Sequence, residues 1–143
     1  MKFEPDVIYV WVGGSCDYGH KERAGGGAYI AEIYTGGFGG HKKSDSTIIG
    51  SYTCSEFGTT EFKMIFAAMD HALNIFRTPA DSSGPKLTNR KIIFLSNVQY
   101  ILNFERPENV DIKILPYHKY PQQQKVHEMA SKAMQNLRKS EAH

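Results

Sequence analysis

Carboxylates stand at Asp17, Glu61, Asp70 and Glu128, imidazoles at His118 and His127, and a thiol at Cys16. Converging carboxylates would hold Mg²⁺ or Mn²⁺, hard cations that need anionic oxygen to offset dehydration. Each of these acids also has a plain structural role. Glu61 suits the first turn of a helix, where the macrodipole favours an acid. Asp70 suits a solvated helix face and Asp17 a turn, while Glu128 should point to a different side of its helix from the neighbouring His127. A zinc site of His118, His127 and Cys16 has the right donor types but poor spacing, so no metal centre is expected. Cys16 and Cys54 lack CxxC spacing and read as two reduced structural thiols.

The basic residues suggest a different chemistry, contact with phosphates. "GHKK" carries Lys42 and Lys43, "PKLTNRK" carries Arg90, and Lys125, Lys132, Arg138 and Lys139 follow near the end. Against that, 17 basic and 15 acidic residues leave a net charge of +2. So weak an overall field argues for no particular partner, and a nucleic-acid contact needs a local patch. The opening "MKFEPDVIYV" has Glu and Pro where a signal peptide carries its apolar run, and eighteen apolar residues never follow one another. A soluble, cytoplasmic protein without a membrane segment is the expectation.

A chain of 143 residues with 41% hydrophobic content suits one compact domain, residues 1–143. Three stretches rich in Val, Ile, Tyr and Thr read as strands, Val7 to Val12, Gly27 to Thr35 and Ser46 to Cys54. The short glycine-bearing connections favour an antiparallel meander. From Thr59 the period lengthens: Met64, Ile65, Ala67, Ala68, His71, Ala72 and Ile75 predict an amphipathic helix to about Arg77, capped by Thr59 or Thr60. "KIIFLSN" reads as a buried, parallel strand and "VQYILNF" as a short helix. A fifth strand is expected over Val110 to His118, and a last helix from Pro121 to Lys139 with proline in its first turn.

Three antiparallel strands followed by two strand and helix units is the element order of the ribonuclease H fold, and local sequences strengthen the likeness. In that family the first strand ends Asp-Gly-Ser, often followed by Cys, and a glycine-rich turn leads into the second. Here "GGSC" (Gly13 to Cys16) and "GGGAYIA" (Gly25 to Ala31) stand at matching spacing. "MIFAA" (Met64 to Ala68) resembles the family's first helix, "NVQYI" (Asn97 to Ile101) the end of its fourth strand, and "YHKYP" followed by "HEMA" (His127 to Ala130) its C-terminal loop and helix. The chain thus resembles the ribonuclease H-like superfamily, type 1, over nearly its whole length. The resemblance implies an α/β fold with a five-stranded mixed sheet, three strands antiparallel and then two parallel, flanked by helices.

It also implies a departure from the family's chemistry. Ribonucleases H cut the RNA of RNA/DNA hybrids with acidic side chains that hold two divalent cations roughly 4 Å apart. In this alignment the four acidic positions become Gly13, Met64, Asn97 and His127, none of them anionic. The family's mobile-loop histidine has a counterpart in His118. The basic helical extension that many active relatives carry is absent, since only "ERPEN" separates Phe104 from Val110. The expectation is a catalytically degenerate domain with no cofactor, binding an RNA/DNA hybrid or other nucleic acid through Ser15, Asn97, His118, Lys42, Lys43 and Arg90. The alternatives are a nuclease using Mg²⁺ or Mn²⁺ on relocated carboxylates, Glu61, Asp17 and Asp70, and a protein-interaction module or homodimer. In that last case exposed tyrosines and Trp11 are contact candidates, although Trp11 and the strand tyrosines filling the core or its margin is the simpler reading.

Overall fold

The computed structural model describes residues 2–34, 46–78 and 89–141. Five strands form one sheet: β1 (Val7–Cys16), β2 (Ala24–Tyr34), β3 (Ser46–Phe57), β4 (Lys91–Ser96) and β5 (Val110–Ile114). Their order is β3-β2-β1-β4-β5, with β1–β2 and β2–β3 antiparallel and β1–β4 and β4–β5 parallel. Two helices, α1 (Glu61–Arg77) and α2 (Pro121–Glu141), cover the sheet.

Strand β1 explains the layering. Its residues Val7–Val12 are all buried, as a central strand with a helix on each face demands. Ile8, Val10 and Val12 alternate into one core with Ile65, Ala68, Met69 and Ala72 of α1. Val7, Tyr9 and Trp11 alternate into the other with Val126 and Ala130 of α2. Trp11 is therefore core, not contact surface, and its indole N–H donates to the buried carboxylate of Glu32 at 2.8 Å. Tyr34 Oη (2.9 Å) and Gln122 Nε2 (3.2 Å) donate to the same oxygen.

The helices start and lie where local chemistry places them. Thr60 caps α1 by accepting from the Lys63 amide at 3.2 Å, and the apolar stripe Met64, Ile65, Ala68, Met69, Ala72 and Phe76 turns inward. The glycine cluster proves to be strand. Gly25 pairs with Cys16 and Gly27 with Cys54, so β2 begins at Ala24 rather than at Gly27. A methyl group at Gly26 would run into the Ala130 carbonyl of α2, and one at Gly27 into the Met64 carbonyl of α1. Bare backbone there lets both helices lie against the sheet.

Three expectations need correction. The helix read over "VQYILNF" is a single 3-10 segment, Gln99–Asn103, with bonds from Ile101 N to Val98 O and Phe104 N to Ile101 O. The fifth strand ends at Ile114, not His118. Leu115 makes the last bond, to Ser96 O at 2.9 Å; Pro116 has no N–H to continue, and Tyr117–Lys119 turns into a second 3-10 segment. Strands β1 and β3 also run further than the sequence pattern suggests, to Cys16 and Phe57. Gly26→Ala is expected to cost at least about 2 kcal/mol in urea unfolding, because the obstacle is helix backbone that cannot rotate away.

Candidate nucleic-acid cleft

Parallel strands β1 and β4 part beyond Trp11 and Leu95, and a cleft opens at their carboxyl ends, the usual ligand position in sheets of this kind. It encloses about 270 Å³ and is lined by Gly13, Gly14, Glu61, Asn97, Val98, Tyr117 and His127. Beta1 supplies the glycines, the first turn of α1 supplies Glu61, and the residues just past β4 supply Asn97 and Val98. The second 3-10 segment brings Tyr117, and α2 brings His127.

Gly13 is closely packed. A Cβ placed on it would stand 2.6 Å from Val126 Cγ1 and 3.3 Å from the His127 amide nitrogen. Val126 is fully buried, so a side chain at position 13 would force it to shift within the core. On the opposite face, a Cβ on Gly14 would meet Ile65 Cγ1 at 2.6 Å and the Glu61 carbonyl at 2.9 Å. The strand end is held between the two helices.

Among the described residues Glu61 is the sole carboxylate that lines the cleft. Burial pushes its carboxyl above the ordinary glutamate range, and the opposing charge of His127 offsets part of that rise. Asn97 and His127 are exposed, and the Tyr117 ring meets the His127 ring edge-on at 5.9 Å. Among the described residues no group of three or more His, Cys, Asp or Glu could hold a metal ion. One carboxylate with a neutral amide and an imidazole does not suit a pair of Mg²⁺ ions.

The structure redistributes the sequence candidates. Met64 is buried with its sulfur accepting from Thr59 Oγ1 at 3.3 Å; Glu61, one turn earlier, takes the helix position in the cleft. Asp17 is a turn acid, accepting from the Ala24 amide at 2.7 Å and from Arg138 Nη2 at 2.8 Å. Arg138 is likewise engaged, also donating to the Glu22 carbonyl, so neither residue is available to a cation or a phosphate in the cleft. Asp70 is exposed nine residues beyond Glu61, about two and a half turns on and hence on the opposite side of α1. Ser15 directs its hydroxyl to Met134 Sδ at 3.7 Å, away from the cleft. Cys16 reaches the Thr59 carbonyl at 3.7 Å and does not group with His118 and His127. His118 is exposed beside Tyr117 but does not line the cleft. Arg90, bonded to the Pro5 carbonyl at 3.4 Å, precedes the opposite end of β4, about 20 Å of strand away. Lys42 and Lys43 lie outside the described residues.

Sequence reasoning missed Tyr117, read as strand, and Gln123. Gln123 is fully buried, and its amide donates to Val12 O at 3.0 Å where β1 leaves β4. A glutamine in a helix's first turn carries no signal that it will cap a strand.

No protein-family model matches the chain, and no curated protein matches it. Solved structures do. LC9-RNase H1, a type 1 RNase H with the type 2 active-site motif, superposes with a TM-score of 0.62 at 15% identity, over 95% of this chain and 75% of its own. LC11-RNase H1 in complex with RNA/DNA hybrid gives 0.60 at 13% identity, over 91% and 98%. The N-terminal RNase H domain of a Mycobacterium tuberculosis protein gives 0.57 at 10%, over 94% and 97%.

Two outcomes follow from this geometry. The raised Glu61 carboxyl means that its contribution to stability is greatest below the unfolded glutamate pKa and falls as pH rises through the folded value. Glu61→Gln should therefore gain on the wild type between pH 3 and pH 7 in thermal melts, by about 1–3 °C. Gly13→Asp should lower the melting temperature, and 10 mM Mg²⁺ (about that concentration) should not restore it, as it would if a metal site had been rebuilt. By its sheet order, its two helices and these superpositions, the chain has the ribonuclease H-like fold.

Proposed function

We propose that this domain binds nucleic acid, an RNA/DNA hybrid foremost, and does not carry out two-metal hydrolysis. The observation that carries the second half is Gly13, which offers no ligand and where an added Cβ would meet Val126 Cγ1 at 2.6 Å and the His127 amide nitrogen at 3.3 Å. The alternative of relocated carboxylates loses its support, because Asp17 is paired with Arg138 and Asp70 faces away. Glu61 alone supplies too little negative charge to offset the dehydration of two hard cations.

Support for binding comes from fold and cleft together. LC11-RNase H1, of the same fold, has been solved in complex with RNA/DNA hybrid. The cleft here keeps an exposed amide, an imidazole and a tyrosine, groups that hydrogen-bond sugar, phosphate and base edges without needing a metal. Loss of clustered acids also removes repulsion toward a phosphate backbone. Among the described residues no helix is long and apolar enough to cross a membrane.

The test is fluorescence anisotropy of a labelled RNA/DNA hybrid titrated with protein in Mn²⁺ at low salt and followed over time. The expected signal rises, holds steady, and weakens as salt is added. A signal that decays toward that of short fragments overturns the loss of hydrolysis. A flat trace overturns nucleic-acid binding and turns attention to protein partners.

A further inference from the structure

Glu32 is a buried carboxylate on the α2 side of the sheet. Three neutral donors converge on its Oε1: the Trp11 indole at 2.8 Å, the Tyr34 hydroxyl at 2.9 Å and the Gln122 amide at 3.2 Å. Among the described residues the ion pairs join Arg138 to Asp17 and Arg106 to Asp111, and neither reaches Glu32. A buried carboxylate is ordinarily matched by a cation, because bonds from neutral groups offset only part of its lost hydration.

The residue that closes this region is aromatic. Phe3 packs on the core that holds Tyr9 and Trp11, and its neighbours Lys2, Glu4, Pro5 and Asp6 are exposed. Centroid to centroid, its ring lies 4.7 Å from Tyr34, 4.8 Å from Tyr9, 6.1 Å from Trp11 and 6.3 Å from Tyr120. Cations are attracted to aromatic rings within about 6 Å of the centroid. The point that Phe3 occupies is inside that range for two rings and at its margin for two more. Phe3 precedes β1 and belongs to no helix or strand. The Glu4 amide, donating to Tyr9 Oη at 2.6 Å, and Arg90, donating to the Pro5 carbonyl at 3.4 Å, tether the segment.

We propose that Phe3 is a displaceable plug over an organic-cation site, in which Tyr9, Trp11, Tyr34 and Tyr120 surround a quaternary ammonium group and Glu32 balances its charge. A trimethylammonium head has about the bulk of the phenyl ring it replaces, and its methyl groups suit an aromatic lining that a hydrated metal ion does not match. Trp11 and Tyr34 both wall the site and donate to Glu32, so one carboxylate orients two rings and supplies the counter-charge. The site is independent of nucleic acid in the cleft. Choline and the side chain of trimethyllysine both carry this head.

Trp11 is the only tryptophan of the chain, so its fluorescence reports on the site directly. The full chain and its Phe3→Ala variant are titrated at constant ionic strength with choline, with acetylated trimethyllysine amide, and with the uncharged isostere of choline that carries a tert-butyl group. Phe3→Ala is expected to bind at least one of the cations about tenfold more tightly than the wild type, because the plug no longer competes. It should also prefer choline about tenfold over the isostere. Saturable binding of either cation supports the site, and the tighter one names its carrier. Adding Glu32→Gln, which keeps an acceptor oxygen for the three donors, should weaken the cation about tenfold and leave the isostere unchanged. Equal binding of the isostere means filling of an apolar space and overturns the site. So does a Phe3→Ala protein that is folded by circular dichroism and binds neither cation. If Phe3→Ala does not fold, the wild type decides: either cation must raise its melting temperature where the isostere does not, or the proposal falls.

Discussion

The close approach of two helices to bare strand backbone is the constraint on which this architecture depends. Gly13 and Gly14 at the end of β1, with Gly26 and Gly27 in β2, leave no Cβ atoms to hold α1 and α2 away from the sheet. The helices then bury Val126 and Ala130 on one face and Ile65 and Ala68 on the other. Burial of these apolar surfaces supplies the main stabilisation. It also fixes the first turn of α1 and the first turns of α2 at the mouth of the cleft.

The same packing shapes the cleft. A side chain at position 13 would press on Val126 Cγ1 and sit tightly against the backbone of α2 at His127, so the bare backbone of Gly13 belongs to the packing of the core. Glu61, a partly buried acid in the lining, holds its proton more tightly than usual because of that burial. A cleft of this kind offers hydrogen bonds and shape. Among the described residues that line it, one carboxylate stands beside a neutral amide and an imidazole.

Much of this was legible in the residues. The β-branched runs, the 3.6-residue period from Met64 to Ile75 and the Pro121 start predicted the elements, and the "GGSC" and "GGGAYIA" spacings predicted their arrangement. The site was harder to read. The pattern around "MIFAA" draws attention to Met64, but that residue points into the core, and the helix phase places Glu61 at the cleft. Long-range pairings such as Asp17 with Arg138, 121 residues apart, leave no local trace in the sequence. The 3-10 segments escaped detection because one turn is too short to establish a period, and the buried role of Gln123 because its partner is a strand carbonyl.

The central claim is that the cleft receives nucleic acid without a metal pair. Crystals of the protein with an RNA/DNA hybrid, grown in Mn²⁺ and measured at the manganese absorption edge, test it most directly. The account predicts an intact hybrid crossing the mouth between Gly13 and Asn97, with no anomalous peaks at the scissile phosphate. Two peaks roughly 4 Å apart beside Glu61 would contradict it.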